Sequence, residues 1–459
     1  MYQINFQNPV HIYFIGIGGI SMSGLAEILL EKGFPVSGSD SKESSLTQLL
    51  CQKGANVHYG QRSENITKDI DLIVYTSAIH PDNPEYLAAE SLGIPLLTRA
   101  ELLGQLMKNY ELPIAISGTH GKTTTTSMIS QILLAADTDP TLSIGGILKT
   151  IGGNIRIGHS GYFVTEACEY TNSFLSFFPK IGIILNVEED HLDFFKDIND
   201  IRRSFHQFAA LIPHDGVLII NGDIPELSAI TKGLSCRILT YGESSDCTYR
   251  PGNISYRENG CADFTLLKDG QKEDAFSLNT PGEHNVYNAL AAIALSDVLA
   301  IGRDVVRKAL FDFHGTDRRF EYKGQINGTT IIDDYAHHPT EITATLKAAA
   351  NFPHKTLWCV FQPHTYTRTK AFLKEFAKAL THADQIILAD IYPARETDDL
   401  GISSQTLQKE IQSLGKTCYY FPDFQQIEAF ILDKCLPNDL LITMGAGDVV
   451  TIGEDLLKE

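Results

Sequence analysis

Short apolar runs alternate along the chain with segments in which apolar residues recur every three or four positions. The first pattern predicts buried β-strands and the second predicts amphipathic helices. Near the N-terminus we predict strands at 11–15, 72–78 and 94–97, another strand ending at residue 40, and helices at 25–31 and 99–107. Strands that alternate with helices in this way favour a parallel sheet with helices on both faces.

The same alternation continues through the rest of the chain with two interruptions. Strands are predicted at 113–116, 141–146, 162–167 and 181–187, before a β-rich insertion at 216–280 and an Ala-rich helix that ends at residue 300. After a polar break at 315–320, we predict strands at 329–333, 356–361, 385–389 and 439–444 and helices at 339–350 and 370–380. The predicted fold class is α/β, with three domains at 1–107, 108–315 and 316–459.

A glycine-rich turn joins a strand to a helix in the central domain, where residues 117–124 read Ser-Gly-Thr-His-Gly-Lys-Thr-Thr. Glycines at such a turn let backbone N–H groups approach phosphate oxygens, and the helix N-terminus adds partial positive charge. Lys122 can reach the outer phosphates of a nucleotide, and Thr123 can hold Mg²⁺. Gly118 and Gly121 are closer together than in the usual pattern, so we predict a shortened loop on a P-loop-type ATPase sheet.

A second glycine-rich turn lies near the N-terminus, where Gly16, Gly18, Gly19 and Ser21 follow the first predicted strand. Asp40 stands where a Rossmann-like domain commonly binds a ribose hydroxyl. Because Ser21 replaces the third glycine of the dinucleotide fingerprint, NAD is weakly supported and a diphosphate on the helix N-terminus is favoured. A glycine turn without a ligand is the alternative.

Polar clusters follow two predicted strands of the central domain. One reads Glu166-Ala-Cys-Glu169 and the other reads Asn186-Val-Glu-Glu-Asp-His191. The carboxyl ends of parallel strands lie at one edge of the sheet, where ligands bind. Carboxylate and imidazole groups beside a phosphate loop suit Mg²⁺. Helix capping is the alternative for each residue alone, whereas the two clusters together favour a metal site.

The third domain is predicted to be a second Rossmann-like sheet, with polar loops at 333–339, 362–368 and 445–448. Their His, Asp and Arg side chains suit a small zwitterion or phosphates, and neutral core histidines are the alternative. Before this domain, Asn285 and Asn288 lie three positions apart on one helical face. Their amides suit an adenine edge, with a helix cap as the alternative.

Composition narrows the choice of function. The formal net charge is −19, which argues against nucleic acid or an acidic membrane as a partner, so local groups must hold any anionic ligand. Eight scattered cysteines without a Cys-x-x-Cys pair are typical of reduced thiols in a cytoplasmic enzyme. We see no signal-peptide pattern and no apolar run of transmembrane length, and therefore expect no membrane span.

Taken in order, the motifs resemble those of the Mur ligases over nearly the whole chain. The motifs are Gly-Thr-His-Gly-Lys-Thr-Thr (118–124), Glu-x-x-Glu (166–169), Asn-x-Glu-x-Asp-His (186–191), His-Asn-x-x-Asn-Ala (284–289), Gly-Thr-x-Arg-Arg-Phe (315–320) and Asp-Tyr-x-His-His-Pro-Thr-Glu (334–341). The resemblance implies a cytoplasmic, ATP-dependent ligase of peptidoglycan precursor synthesis. It further implies that L-alanine is joined to the carboxylate of UDP-N-acetylmuramate through an acyl phosphate, with release of ADP and phosphate.

The resemblance also implies roles for single residues. ATP would contact Gly118, Thr119, His120, Gly121, Lys122, Thr123, Thr124, Asn285, Asn288, Arg319 (γ-phosphate) and Asp333 (ribose). Mg²⁺ would be held by Thr123, Glu169 and His191, and catalysis would depend on Lys122, Glu169, His191 and Arg319. UDP-N-acetylmuramate would contact Gly16, Gly18, Gly19, Ser21, Asp40 and Ser77, and L-alanine would contact Tyr335, His337 and Arg368.

Two positions depart from the family pattern, Cys168 where many members carry Asp and Thr365 where some carry Arg. Some members use a carbamylated lysine near the second metal, but residues 201–210 contain no lysine, so we predict none. Three alternatives remain: a dehydrogenase resting on the first glycine loop, a nucleotide-dependent switch protein, and a sister ligase that attaches a preformed peptide. The sequence leaves both a monomer and a homodimer open.

Overall fold

The computed structural model describes residues 2–76, 78–394, 396–397 and 400–458, which form three sheets in succession along the chain. The first sheet is parallel throughout, in the strand order β3-β2-β1-β4-β5. This is a doubly wound order, in which buried apolar strands such as Ile12–Ile15 and Leu72–Tyr75 need helices on both faces. Its elements are β1 (Ile12–Ile15), α1 (Ile20–Glu31), β2 (Val36–Asp40), α2 (Ser45–Gln52), β3 (Asn56–Tyr59), β4 (Leu72–Tyr75), α3 (Pro84–Leu92), β5 (Leu96–Thr98) and α4 (Arg99–Met107).

The central sheet has ten described strands in the order β15-β14-β13-β12-β11-β10-β6-β9-β7-β8. Its strands are β6 (Leu112–Ser117), β7 (Thr141–Leu148), β8 (Gly153–Arg156), β9 (Tyr162–Ala167), β10 (Ile181–Ile184), β11 (Val217–Asn221), β12 (Arg237–Tyr241), β13 (Tyr249–Tyr256), β14 (Cys261–Lys268) and β15 (Gln271–Pro281). Its helices are α5 (Lys122–Ala135), α6 (Ile198–Ala210), α7 (Ser228–Thr231), α8 (His284–Val298) and α9 (Arg303–Phe311).

The β-rich segment predicted at 216–280 extends this sheet. Strand β11 pairs in parallel with β10, β12 pairs in parallel with β11, and β13, β14 and β15 then pair antiparallel. The turns at Asn259-Gly260 and Asp269-Gly270 connect the antiparallel strands, as their sequence indicates. Edge-to-edge pairing satisfies the backbone groups of a segment that would otherwise present two open sheet edges.

The third sheet has six described strands in the order β16-β17-β21-β18-β19-β20, antiparallel only between β16 and β17. Its strands are β16 (Glu321–Ile326), β17 (Thr329–Asp334), β18 (Leu357–Phe361), β19 (Gln385–Leu388), β20 (Thr417–Tyr420) and β21 (Leu440–Met444). Its helices are α10 (Pro339–Ala350), α11 (Tyr366–Ala371), α12 (Leu373–Leu380), α13 (Ser404–Ser413), α14 (Phe424–Lys434) and α15 (Val450–Leu456).

The helix predicted at 370–380 is two helices, α11 and α12. It begins early because the hydroxyl of Thr365 accepts from the backbone N–H of Arg368 and caps α11. It breaks at Phe372, whose φ of −109° and ψ of 26° are not helical. Arg368 lies in α11, before this break, and its guanidinium contacts Asp190 of the loop after β10.

The first and central sheets share one hydrophobic core, in which residues of β1 and α1 are continuous with Ala115, Phe163 and Phe205. Close backbone approach fixes this junction. At Gly104 of α4, an added Cβ would lie 1.9 Å from the carbonyl oxygen of Ser176. No helix in the described part of the chain is long and apolar enough to cross a membrane.

Candidate active site

The phosphate loop lies between β6 and α5, and its two glycines adopt backbone angles that favour glycine. The φ angles are 145° at Gly118 and 81° at Gly121. Asn186, which follows β10, holds the loop from both directions. Its Oδ1 accepts from the backbone N–H of His120 at 2.7 Å, and its Nδ2 donates to the carbonyl oxygen of His120 at 3.1 Å. The polar cluster after β10 therefore shapes the loop that the sequence predicted.

Lys122 lies in the phosphate loop, and its ammonium group contacts a carboxylate. Its Nζ is 2.9 Å from Oε2 of Glu169, and it also donates to the carbonyl oxygens of Gly118 and Thr119. Removal from water disfavours the charged form, but the Glu169 carboxylate outweighs this and raises the pKa of Lys122 above its usual value. The lysine is therefore a fixed positive charge at the turn.

The residues predicted to hold a metal lie on this same edge of the sheet. Nε2 of His191 is 3.8 Å from Oε1 of Glu169, and its ring stacks on Tyr170 with centroids 4.5 Å apart. Burial lowers the pKa of His191, which favours the neutral imidazole that a metal requires. The hydroxyl of Thr123 instead donates to Oε2 of Glu166 at 3.1 Å.

Glu166 begins the first polar cluster that the sequence indicated as a metal site, but the assignment of single metal ligands did not include it. It also accepts from the backbone N–H of Gly145 at 2.5 Å, and removal from water raises its pKa. Its place could have been found from the strand register, because Glu166 pairs with Ile116 at the end of the strand that leads into the phosphate loop. The hydroxyl, carboxylate and imidazole groups of Thr123, Glu166, Glu169 and His191 are of the kinds that a divalent cation takes as ligands.

A cavity of about 290 Å³ lies between the central and third sheets beside the phosphate loop. It brings together most of the residues predicted to contact ATP, and its lining includes His120, Gly121, Thr124, Asn285, Asn288, Arg319, Asp334 and Glu341. Nδ2 of Asn288 donates to Oδ1 of Asn285 at 3.0 Å, so the two amides predicted on one helical face are in contact. Backbone amides, a guanidinium and amide side chains therefore converge on one cavity.

Asp333, predicted near the ribose, lies outside this cavity. Its side chain is fully buried, where Oδ2 accepts from Nε of Arg318 at 3.0 Å and Oδ1 accepts from the Thr443 hydroxyl at 2.7 Å. Neighbouring residues of a strand point to opposite faces, so Asp334 lines the cavity in its place. Burial raises the pKa of Asp334 to about 6.

A second cavity, of about 1070 Å³, lies beside the residues that follow β9 and β10 of the central sheet. It is lined from all three sheets, by residues that include Thr98, Arg99, Cys168, Tyr170, Asp190, His191, His364, Thr365 and Arg368. Nε and Nη2 of Arg368 lie 3.2 and 3.0 Å from Oδ1 of Asp190, and Nη1 is 3.2 Å from Nδ1 of His364. Burial disfavours the Asp190 carboxylate, but Arg368 outweighs it and holds the pKa of Asp190 well below its usual range.

The other two residues predicted for the amino acid lie next to this cavity. The ring of His337 is 5.7 Å from that of His364 and 5.5 Å from that of Tyr335. The guanidinium groups of Arg318 and Arg319 lie over the Tyr335 ring, at 4.9 and 5.2 Å from its centroid. Tyr335 and His337 thus stand between the arginine that lines the smaller cavity and the histidine that lines the larger one.

The first glycine loop faces the same region from the N-terminal side. The carboxylate of Asp40 accepts from the backbone N–H of Gly18 at 2.8 Å, so it fastens the loop. Nη1 of Arg99, a residue that we did not predict, donates to the hydroxyl of Ser21 at 3.1 Å and also lines the larger cavity. Gly16 has a φ of 85° at the turn. Ser77 lies outside the described residues.

This arrangement suits phosphoryl transfer. Positioned amides and cations neutralise the charge that develops on a transferred phosphoryl group, and little covalent help is needed. Arg319 and the loop residues His120, Gly121 and Thr124 line the smaller cavity, and Lys122 supplies a further charge on the same loop. His191, which lies 3.8 Å from Glu169, lines the larger cavity. A nucleotide in the first cavity would thus present its outer phosphate to an acceptor in the second.

Comparisons with known proteins agree with this layout over the whole chain. Residues 11–111 match the model described as Mur ligase family, catalytic domain; residues 116–296 match the Mur ligase middle domain; and residues 318–447 match the model described as Mur ligase, glutamate ligase domain. The UDP-N-acetylmuramate–L-alanine ligase of Agathobacter rectalis is 59% identical over 459 residues, which cover 100% of both chains.

Solved structures show the same architecture. The UDP-N-acetylmuramate–alanine ligase of Thermotoga maritima is 29% identical with a TM-score of 0.81, and 98% of each chain is covered. A murein peptide ligase of Psychrobacter arcticus is 26% identical with a TM-score of 0.70, again with 98% of each chain covered. The fold, the phosphate loop and the three matched segments lead to one conclusion: the chain belongs to the Mur ligase family.

Proposed function

We propose that this chain joins L-alanine to the carboxylate of UDP-N-acetylmuramate, using ATP and releasing ADP and phosphate, in the cytoplasmic synthesis of peptidoglycan precursors. The observation that carries the proposal is the 59% identity over the full length to a relative that bears this activity in its name. The cavity beside the phosphate loop and the larger cavity lined from all three sheets support it.

The reaction takes place in two steps. A carboxylate oxygen of the sugar nucleotide attacks the γ-phosphorus of ATP, so ADP leaves and an acyl phosphate forms. The neutral amine of L-alanine then attacks the acyl carbon, a tetrahedral intermediate forms, and phosphate leaves as the amide is made. The nitrogen keeps one hydrogen in the amide and gives up one proton to solvent. Lys122 and Arg319 stabilise the negative charge of the first step, and the loop amides orient the phosphates.

Mg²⁺ is part of this proposal, and Thr123, Glu166, Glu169 and His191 are the residues that would hold it. The cation would neutralise phosphate charge. The ammonium group of Lys122 contacts Glu169 in this structure. When a nucleotide binds, this group must exchange its contact with Glu169 for one with phosphate. This exchange frees the Glu169 carboxylate for the cation, so nucleotide and metal binding support each other.

The sugar nucleotide and the amino acid are assigned to the larger cavity. The helix N-terminus of α1 with Gly16, Gly18, Gly19 and Ser21 suits the diphosphate, with Arg99 as an added cation. Arg368, Tyr335 and His337 are proposed to receive L-alanine. We also propose domain boundaries near residues 107 and 315, which separate the elements of successive sheets.

Phosphate release tests this function directly. Purified protein is incubated with ATP, Mg²⁺ and UDP-N-acetylmuramate, and L-alanine is compared with glycine, L-serine and the peptidoglycan tripeptide. We expect release that depends on the sugar nucleotide and is fastest with L-alanine. A preference for the tripeptide would instead assign the chain to the peptide-attaching ligases, which the structural similarity to the Psychrobacter arcticus enzyme keeps as the second candidate.

A further inference from the structure

One largely buried carboxylate contacts residues of the smaller cavity and a residue next to the larger cavity. Glu341 lies in the first turn of α10, with 14% of its side chain exposed. Oε1 of Glu341 is 3.2 Å from Nδ1 of His120 on the phosphate loop and 4.0 Å from Nη1 of Arg319. Oε2 accepts from the backbone N–H of His337 at 3.1 Å. The two oxygens of this carboxylate therefore face opposite ways, one toward the nucleotide cavity and one toward the residues next to the amino-acid pocket.

The contact with His120 belongs to a wider junction between the central and third sheets. The ring of His120 lies 4.6 Å from that of His338, and Nε2 of His338 bonds the carbonyl oxygen of Glu189 at 3.0 Å. The hydroxyl of Thr340 donates to Oε2 of Glu188 at 2.7 Å. Residues 338–341, at the start of α10, thus meet the phosphate loop and the loop after β10.

From these contacts we infer that Glu341 is a positioning residue, which sets the phosphate loop through His120 and the amino-acid pocket through His337. The Glu341 carboxylate can contact both His120 and His337 only when the central and third sheets are docked as they are here. A ligand that binds at one cavity and favours this docked arrangement therefore also favours binding at the other cavity. Such coupling is reciprocal. The assignment of the second cavity to L-alanine rests on the proposed function, whereas the link to the nucleotide does not.

The alternative is a purely local role, in which Glu341 is an acidic residue at a helix N-terminus that stabilises α10. Two variants separate these roles. Glu341→Gln keeps the length of the side chain and removes its charge, whereas Glu341→Asp keeps the charge at the helix end but shortens the reach by one methylene. A helix-end role predicts that Glu341→Asp behaves like the wild type, and a positioning role predicts that both variants are impaired.

Steady-state kinetics with each substrate varied in turn provides the first measurement. We expect Glu341→Gln and Glu341→Asp to raise the KM for both ATP and L-alanine about tenfold each, as loss of a charge-assisted contact does. The KM for UDP-N-acetylmuramate should stay within about twofold, since the described contacts of Glu341 are with the nucleotide side and His337. A rise of all three constants together, or wild-type constants for Glu341→Asp, would overturn the inference.

Glu188→Gln is the matched control. This variant removes the other carboxylate near His120, since Oε2 of Glu188 lies 3.6 Å from Nε2 of His120. The same oxygen also accepts from the hydroxyl of Thr340. We expect this variant to raise the KM for ATP and leave that for L-alanine unchanged. An equal rise for L-alanine would show that any loosening of the junction has this effect, which would contradict a specific role for Glu341.

The second measurement does not depend on the acceptor. Binding of a non-hydrolysable ATP analogue by calorimetry should be about tenfold weaker in Glu341→Gln than in the wild type, and this difference should disappear in a His120→Asn background because Glu341 acts on the nucleotide through His120. If Glu341→Gln weakens binding of the analogue to the same extent in the His120→Asn background, Glu341 does not act on the nucleotide through His120. If the analogue arm succeeds and the L-alanine assay of the wild type fails, the proposed function fails and the nucleotide link stands.

Discussion

At the scale of single residues, two cations that we propose to bind substrates are already paired. Lys122 lies on Glu169, and Arg368 lies on Asp190. The formal net charge of −19 gives the protein a field that repels ATP and a sugar nucleotide, so these local cations must attract them. Pairing keeps the lysine and arginine charged and oriented before ligands arrive, and a phosphate or carboxylate then replaces the protein's own carboxylate.

Replacement of Lys122 by alanine tests the charge at the phosphate loop. Because that charge stabilises the transferred phosphoryl group, Lys122→Ala should lower kcat by about 10³-fold or more. Lys434→Ala, which removes a half-exposed lysine of α14, is the control and should be neutral. Turnover of Lys122→Ala within tenfold of the wild type would remove Lys122 from the mechanism.

The proposed metal set can be tested by the Mg²⁺ concentration that gives half-maximal activity. Glu166→Ala, Glu169→Ala and His191→Ala should each raise it, since each removes one proposed ligand. Asp197→Ala controls for helix capping, because the Asp197 side chain caps α6 by accepting from the N–H of Asp200. That variant should lower the melting temperature with unchanged Mg²⁺ dependence. Unchanged dependence in all three ligand variants would favour the capping alternative.

Arg368→Lys tests the amino-acid pocket. A guanidinium can grip a carboxylate with two N–H groups, which a lysine cannot do. We expect the KM for L-alanine to rise about ten- to a hundredfold, with those for ATP and the sugar nucleotide nearly unchanged. Arg203→Lys, in an exposed ion pair with Asp200, is the control. If the L-alanine constant does not move, the assignment is wrong.

At the scale of secondary structure, apolar periodicity located most elements of the fold. The helices at 99–107 and 339–350 and the strand at 162–167 have the predicted bounds, because capping residues or polar ends mark them. Elements missed in the third sheet, such as α13, β20 and α14, lie in a stretch where the apolar pattern is weak. The split at Phe372 depends on tertiary contacts, which no local pattern encodes.

The same limit applies within the site, where the assignments of single residues remain predictions. Motif spacing identified the phosphate loop and most of the lining of its cavity. It did not resolve Asp333 from Asp334, because adjacent residues of one strand point to opposite faces and the partner Arg318 had to be known to choose between them. Glu166 and Arg99 were omitted for a related reason: their roles come from neighbours that are distant in the sequence.

The junction between the phosphate loop and α10 predicts a pH dependence. His120 is largely buried, which opposes its charged form, but Glu341 and Glu188 outweigh this and raise its pKa to about 9. The facing His338 is neutral at pH 7, since burial lowers its pKa to about 4. A raised pKa contributes stability that is present below the unfolded value and is lost as pH rises through about 9.

We therefore expect the melting temperature of the wild type to fall between pH 7 and pH 10 by more than that of His120→Asn. The linkage is worth about 3 kcal/mol at most, because one pKa unit corresponds to about 1.4 kcal/mol. Differential scanning calorimetry across this range checks it, and comparison with the variant removes the contribution of other groups. Identical pH profiles for the two proteins would contradict a charged His120 in the folded state.

At the scale of the whole molecule, three sheets surround two adjoining cavities. The first sheet is joined to the central one by a shared core, whereas the third meets the central sheet through polar contacts such as those of His120, Arg368 and Thr340. Polar junctions open more readily than apolar ones. We therefore expect the third sheet to move when substrates enter, and the chemistry to take place in the arrangement described here.

In the proposed mechanism, the carboxylate of the sugar nucleotide attacks the γ-phosphorus of ATP. The most direct test uses UDP-N-acetylmuramate with ¹⁸O in both carboxylate oxygens, incubated with ATP, Mg²⁺ and L-alanine, with the products analysed by mass spectrometry. One labelled oxygen should be found in the inorganic phosphate and the other in the new amide, because the attacking oxygen leaves with the phosphoryl group. Unlabelled phosphate, with amide product still formed, would contradict an acyl-phosphate route.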